Sequence, residues 1–223
     1  MHARFVAAVL TLVLVSMAAP VAAGSIGVSF SSLPSTQGWT PYIESGQPES
    51  AIFSVSGGVL HMDSASSTAA YYKVTELVDP ALPFTLSARA RVLGGSGQTL
   101  AFMVGDGTRY AAINLSPTGA LDESSRTIIA SGDFTVFHDF RMEGDFASGY
   151  LLYIDDVLAG GAGFDALEFN GVLFGDSGGI GSGQAQMTAF SFTQSSVPAP
   201  GSLSLLLLAA VGLTALRTTR RRR

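Results

Sequence analysis

Three sets of residues in this chain have types and spacings that could do chemistry. The first is a serine in a glycine-rich stretch, Phe174-Gly175-Asp176-Ser177-Gly178-Gly179. A serine nucleophile needs an imidazole base, and a carboxylate to orient that base. His61 and Asp106 could be put forward for those roles. But His61 stands in Leu60-His61-Met62, the chain has no cysteine to brace such a site, and no histidine follows Ser177. The other reading is a glycine-rich loop before a closing strand. The second set is Glu143-Gly144-Asp145. Paired acids cleave glycosides when one donates a proton and the other attacks or activates water. Here Phe146-Ala147-Ser148-Gly149 follows with no second Glu, so the pair reads as a strand ending in a charged turn. The third set is metal ligands. His61 and His138 are far apart, which leaves no paired spacing for zinc. Asp106, Asp155, Asp156 and Asp176 suit a hard cation such as calcium, but Asp is also an ordinary turn residue. The expectation is no catalytic residue, no metal ligand set and no cofactor, with calcium the one cation the loops could take.

Recognition residues are easier to find. Arg89, Arg91, Tyr110, Asn114, His138, Asp139 and Arg141 are the polar members of alternating segments. Sugar binding uses aromatic faces and fixed polar groups on a rigid sheet, and these residue types fit it. The competing reading is a solvated face of arginine–carboxylate pairs. Trp39, the only tryptophan, is either a sugar platform or a core or edge anchor, and its place near the first strand favours the anchor.

The elements that would position these residues are strands. Phe84, Leu86, Ala88, Ala90 and Val92 alternate with Thr85, Ser87, Arg89, Arg91 and Leu93. Phe134, Val136, His138, Phe140 and Met142 alternate with Thr135, Phe137, Asp139, Arg141 and Glu143. A period of two sends one set inward and the other outward. Turn chemistry separates the runs at Ser56-Gly57-Gly58, Gly94-Gly95-Ser96-Gly97, Asp106-Gly107, Pro117-Thr118-Gly119 and Asp155-Asp156. No capped stretch has helical spacing. About twelve to fourteen short strands without intervening helices make an antiparallel sandwich or jelly roll.

The order of segments resembles the concanavalin A-like (laminin G-like) jelly roll. Phe53 to Asp63 opens it and Phe84 to Val92 follows. Next come Phe137 to Glu143, a strand with a histidine and a basic residue, and Leu152 to Leu158, a hairpin with an Asp turn. Val172 to Asp176 ends in a Gly-Asp loop, and Met187 to Phe192 closes the fold. That family includes lectins, glucanases and ligand-free interaction modules, so the resemblance implies a fold and leaves function open.

The two ends read as routing. Arg4, the apolar run Phe5 to Met17 and Pro20-Val21-Ala22-Ala23 have the layout of a signal peptide over 1–23, cut ahead of Gly24. At the other end, Val197-Pro198-Ala199-Pro200 leads into an apolar stretch and then Arg217, Arg220, Arg221, Arg222 and Arg223. Residues 199–216 would span about 27 Å as a helix at ~1.5 Å per residue, close to a hydrocarbon core of ~30 Å. The arginines over 217–223 would stay cytoplasmic, which puts 24–196 on the far side of the membrane. This tail resembles the PEP-CTERM sorting signal of Gram-negative bacteria, with Ala199 where that family usually has Glu. The resemblance implies an exosortase partner, an inner-membrane anchor before processing, and delivery to the cell surface or exopolysaccharide matrix.

Routing also explains the charge. The chain carries −5 overall, but 24–196 holds all 17 acidic residues and only six of the 12 basic ones, a balance of −11. Nothing there could neutralise a run of phosphates, which excludes a nucleic-acid partner. The reading is an exported, non-catalytic jelly-roll domain over 24–196 with polysaccharide as candidate ligand. The alternatives are a jelly-roll glycoside hydrolase and a purely structural matrix protein.

Overall fold

The computed structural model describes residues 24–65, 67–74, 78–176 and 182–195. The signal segment 1–23, the tail 197–223 with its sorting residues, and Ser177 lie outside the described residues. Gly24–Ser195 forms one compact unit.

That unit is all-β, two antiparallel sheets packed face to face. The first sheet runs β13 (Val157–Ala162), β12 (Gly149–Ile154), β11 (His138–Asp145), β6 (Phe84–Ser96), β16 (Ser182–Gln194), β4 (Val59–Asp63) and β3 (Phe53–Ser56). A further strand, β1 (Gly24–Val28), pairs with β16 over Phe190–Gln194. The second sheet runs β10 (Ile128–Ser131), β9 (Gly119–Asp122), β8 (Arg109–Ser116), β7 (Leu100–Asp106), β15 (Asn170–Gly175), β5 (Ala69–Val74) and β2 (Thr40–Ile43), with β14 (Asp165–Ala166) beside β8. The described residues hold 16 strands, a 3-10 turn at Pro34–Gln37 and one single-turn helix, α1 (Glu49–Ile52). The count exceeds the expected one because short edge strands such as β2 and β14 carry too few residues to show a period.

Alternation places the core. Phe84, Leu86, Ala88, Ala90 and Val92 are all buried, as the period of two requires. Between the sheets Phe174 and Tyr71 of the second meet Phe190 and Phe53 of the first, with Trp39 packed at 4.8 Å from Phe174 and 5.6 Å from Phe190. Burying such rings supplies much of the driving force for bringing two sheets together. β15 lies between β7 and β5, and its Gly175 is close to the neighbouring backbone: a Cβ there would stand 2.6 Å from the Ala70 Cα.

One strand begins later than its pattern predicts. The alternation from Phe134 suggests a strand from that residue, but β11 starts at His138. The Asp133 carboxylate accepts the Thr135 N–H at 3.0 Å and turns the chain first. Phe134 is still buried, and its carbonyl accepts the Val92 N–H at 2.8 Å.

Candidate functional site

The catalytic candidates do not converge. His61 is on β4 in the first sheet. Its ring is hydrogen-bonded to Ser56 Oγ at 3.1 Å and Gln186 Nε2 at 2.9 Å. Asp106 ends β7 in the second sheet, where Oδ1 accepts the backbone N–H groups of Thr108 and Arg109 at 2.8 and 2.7 Å. Burial pulls this carboxyl up, but those N–H donors, with the Thr108 hydroxyl and Arg109 guanidinium, outweigh it and hold it below the usual range. Glu143 is paired with the Arg141 guanidinium. Asp145 accepts the N–H groups of Ala147 and Ser148 at 2.9 and 2.8 Å and closes the β11–β12 turn. Both members of the Glu-x-Asp pair therefore have structural partners.

The calcium candidates are dispersed as well. Asp106 and Asp176 lie at opposite ends of the β7–β15 pairing, while Asp155 and Asp156 form the β12–β13 turn of the other sheet. Among the described residues no group of three or more His, Asp or Glu side chains is placed to hold a metal. Asp155 and Asp156 both have positive φ, 50° and 63°, as a two-residue hairpin turn of the mirror-image type requires.

That turn explains His138. Its Nδ1 lies 2.6 Å from Asp155 Oδ2 and its Nε2 lies 2.9 Å from the Asp133 carbonyl. Both partners are acceptors, so the protonated ring, with an N–H on each nitrogen, satisfies both. Partial burial works against the charge, but Asp155 and the Asp133 carbonyl outweigh it and raise the pKa. A raised folded-state pKa gives stability that is full below the unfolded value of about 6.5 and is lost as pH rises through the folded value. The Asp155 carboxyl is lowered, chiefly by the Asp139 N–H and then by His138. Its share is therefore present above about pH 4 and lost as pH falls further. His138→Gln should lower Tm by about 2 °C at pH 5.5, for an exposed pair of under about 1 kcal/mol. Near pH 9 thermal unfolding of the two proteins should coincide, and an equal difference at both pH values would refute the pairing.

The seven recognition candidates divide between the sheets. Tyr110 and Asn114 are on β8 in the second. Asn114 is buried, with Nδ2 bonded to Glu123. Burial, followed by the charges of Glu123, Asp165 and Asp122, raises the Tyr110 phenol. These two residues are therefore not part of a site with the arginines, and His138 is consumed by its turn.

Arg89, Arg91 and Arg141 do come together, on the outer face of the first sheet. Arg89 pairs in register with Asp139, with an ion pair of 2.5 Å. The Arg91 guanidinium lies 4.6 Å from the Phe137 ring centroid, and Arg89 lies 5.9 Å from the same ring. Arg141 lies 4.2 Å over Tyr153, its cross-strand partner, and reaches Asp156 at 3.1 Å. A depression of about 180 Å³ lies between Arg89, Asp139, Arg141, Asp156, Ser87 and Ser191. From Ser87 to Leu93 the face extends about 20 Å along β6, at ~3.4 Å per residue. The alternation of residues sends Phe137 outward, but nothing local connects it to Arg91. Tyr153 was missed because only cross-strand register brings it under Arg141.

No protein-family model matches this chain, and no curated protein matches it. Its fold is shared with solved structures. A sialidase is similar at 12% identity and a TM-score of 0.54, over 77% of this chain and 18% of that one. A protein of unknown function from Shewanella oneidensis MR-1 is similar at 7% identity and a TM-score of 0.53, over 88% of this chain and 96% of that one. The binding domain of Paraclostridial Mosquitocidal Protein 1 is similar at 12% identity and a TM-score of 0.51, over 78% and 48%. At these identities what is shared is the antiparallel, jelly-roll-like sandwich. The chain spans under a fifth of the sialidase's length.

Proposed function

We propose that residues 24–196 form a non-catalytic, concanavalin A-like module that binds carbohydrate on the outer face of its first sheet. The observation that carries this reading is the row Arg91–Phe137–Arg89 together with Arg141 over Tyr153. Stacking on the rings holds the guanidinium planes in place, so their N–H groups can hydrogen-bond ring hydroxyls at little further entropic cost. The expected outcome is retention of the protein on native exopolysaccharide. Arg91→Ala or Phe137→Ala should weaken that retention about tenfold, a change of about 1.4 kcal/mol. Wild-type protein that passes straight through the polysaccharide column would remove the binding function.

The same proposal includes routing. The apolar run Phe5 to Met17, Val197-Pro198-Ala199-Pro200 and the terminal arginines support export, membrane anchoring and sorting by an exosortase to the cell surface or matrix. Mass spectrometry of the mature protein should find an N-terminus at Gly24 and a C-terminus near Pro200. A chain retained through Arg223 would argue for a plain tail anchor.

A further inference from the structure

A second depression, of about 310 Å³, lies on the same face between α1, β3, β4 and β16, next to the Arg91 side of the arginine row. Two registered rows of side chains build it. In the first, Arg91, Gln186, His61 and Ser54 stand opposite one another across β6, β16, β4 and β3. Arginine can only donate, and its Nε–H donates to Gln186 Oε1 at 2.8 Å. That fixes the amide, whose Nε2 then donates to His61 Nδ1 at 2.9 Å. His61 therefore carries its proton on Nε2 and donates to Ser56 Oγ at 3.1 Å. Three donors of this row, the Arg91 Nε–H, one Gln186 amide N–H and the His61 Nε2–H, are engaged along the sheet.

The second row is rich in acceptors. Gln184 Nε2 donates to Asp63 Oδ2 at 2.9 Å, and Asp63 Oδ1 accepts the Ala65 N–H at 3.2 Å. Each carboxylate oxygen retains lone-pair capacity, and Gln184 Oε1 is bonded to nothing else among the described residues. Both residues are exposed. Leu93, 40% exposed on β6, provides an apolar wall.

We propose that this depression is a subsite for one neutral, polyhydroxylated sugar ring, a proposal that rests on the carbohydrate reading above. Ring hydroxyls would donate to Asp63 and Gln184, and the C–H face would lie on Leu93. The volume is at the low end of small-molecule sites, roughly 300–1,000 Å³, so it suits a single ring. A uronate would bring its carboxylate against that of Asp63, and like charges repel. The subsite therefore selects against acidic sugars, in keeping with the −11 balance of the 24–196 segment.

The test is calorimetric titration of the purified full chain with linear neutral glucan hexasaccharides (β-1,3, β-1,4 and α-1,4) and a polyuronate hexasaccharide. At least one neutral probe should bind, the polyuronate at least tenfold more weakly, and Asp63→Ala or Gln184→Ala should weaken neutral binding about tenfold. Because both side chains are exposed, an unchanged Tm should show that these variants fold. If the wild type binds neutral glucan and only Arg91→Ala and Phe137→Ala reduce it, the subsite is wrong and the binding face stands. If the wild type binds no saccharide, both fall. Tighter polyuronate binding overturns the subsite alone. Nitrogen NMR adds a readout that folding does not move: His61 should be the Nε2–H tautomer, and Arg91→Met should lose that preference. A wild-type Nδ1–H tautomer would refute the polarised row.

Discussion

Asp122→Ala is expected to lower the unfolding free energy by about 3 kcal/mol, and Tm by roughly 10 °C in a domain of this size. Asp122 ends β9 in the second sheet and is fully buried. One carboxylate oxygen accepts the hydroxyl of Tyr150, which belongs to β12 of the opposite sheet. The other accepts Ser124 Oγ and the Ser125 N–H, both at 2.7 Å. The residue thus fastens one sheet to the other and folds its own turn. Alanine would leave the buried Tyr150 hydroxyl without a partner, at a cost of about 1–3 kcal/mol, and would release the turn that Ser124 and Ser125 close on the same carboxylate. Tyr150→Phe removes the donor instead and should cost only about 1 kcal/mol. The pH dependence has a definite sign. Burial raises the Asp122 carboxyl, but the bonds from Tyr150, Ser125 and Ser124 outweigh it and set it below its ordinary value. Its contribution is therefore full above the unfolded pKa of about 3.9 and declines as pH falls through the folded one. Asp122→Asn should differ from wild type at pH 6 and converge with it toward pH 2. Equal thermal unfolding of Asp122→Ala and wild type at pH 7 would mean that the two sheets are not held together here.

Where one face of a strand is buried, the strand could be read directly from the chain. The alternation from Phe84 to Val92 located β6 and sent Arg89 and Arg91 outward, because a period of two leaves no other assignment. Asp155-Asp156 marked a hairpin for a similarly local reason. Pairing between distant strands could not be read. β6 lies against β16 along nearly its whole length, from Phe84↔Gln194 to Ser96↔Ser182, and no local signal links segments so far apart in the chain. Hence the outward parity of Tyr110 and Asn114 on β8 was visible, but not that β8 belongs to the other sheet.

The proposed binding face was legible to the same extent. Its arginines follow from parity alone. Tyr153 under Arg141 follows from the β11–β12 register, and the Arg91–Gln186–His61 row follows from the order β6–β16–β4. Both depend on which strands pair. His138 occupies an inward position at the start of β11, and its two ring nitrogens face the turn partners Asp155 and the Asp133 carbonyl, contacts that no local pattern announces. The Asp122–Tyr150 link has no motif at all: it joins a strand end to a residue in the facing sheet.

Trp39→Ala should have an effect at least as large, about 4 kcal/mol. The choice between sugar platform and core anchor falls to the core, since the ring is only 2% exposed. It contacts Phe174 from the second sheet and Phe190 from the first, both themselves buried, and Lys73 Nζ lies 5.8 Å from its centroid. Truncation would open a cavity where the two sheets meet, and large aromatic-to-alanine changes in cores cost about 3–5 kcal/mol. Phenylalanine should be tolerated far better, at about 1–2 kcal/mol. The indole N–H is buried with no acceptor among the described residues, so losing it breaks no bond, and the residual cost is that of the missing ring volume. Far-UV circular dichroism melts of both variants would measure the difference. A sugar platform predicts the opposite pattern, a small change in Tm and a large loss of polysaccharide retention in Trp39→Phe. The core placement predicts that Trp39→Phe binds polysaccharide as the wild type does, because the indole never meets solvent on the face that carries Arg89, Arg91 and Arg141.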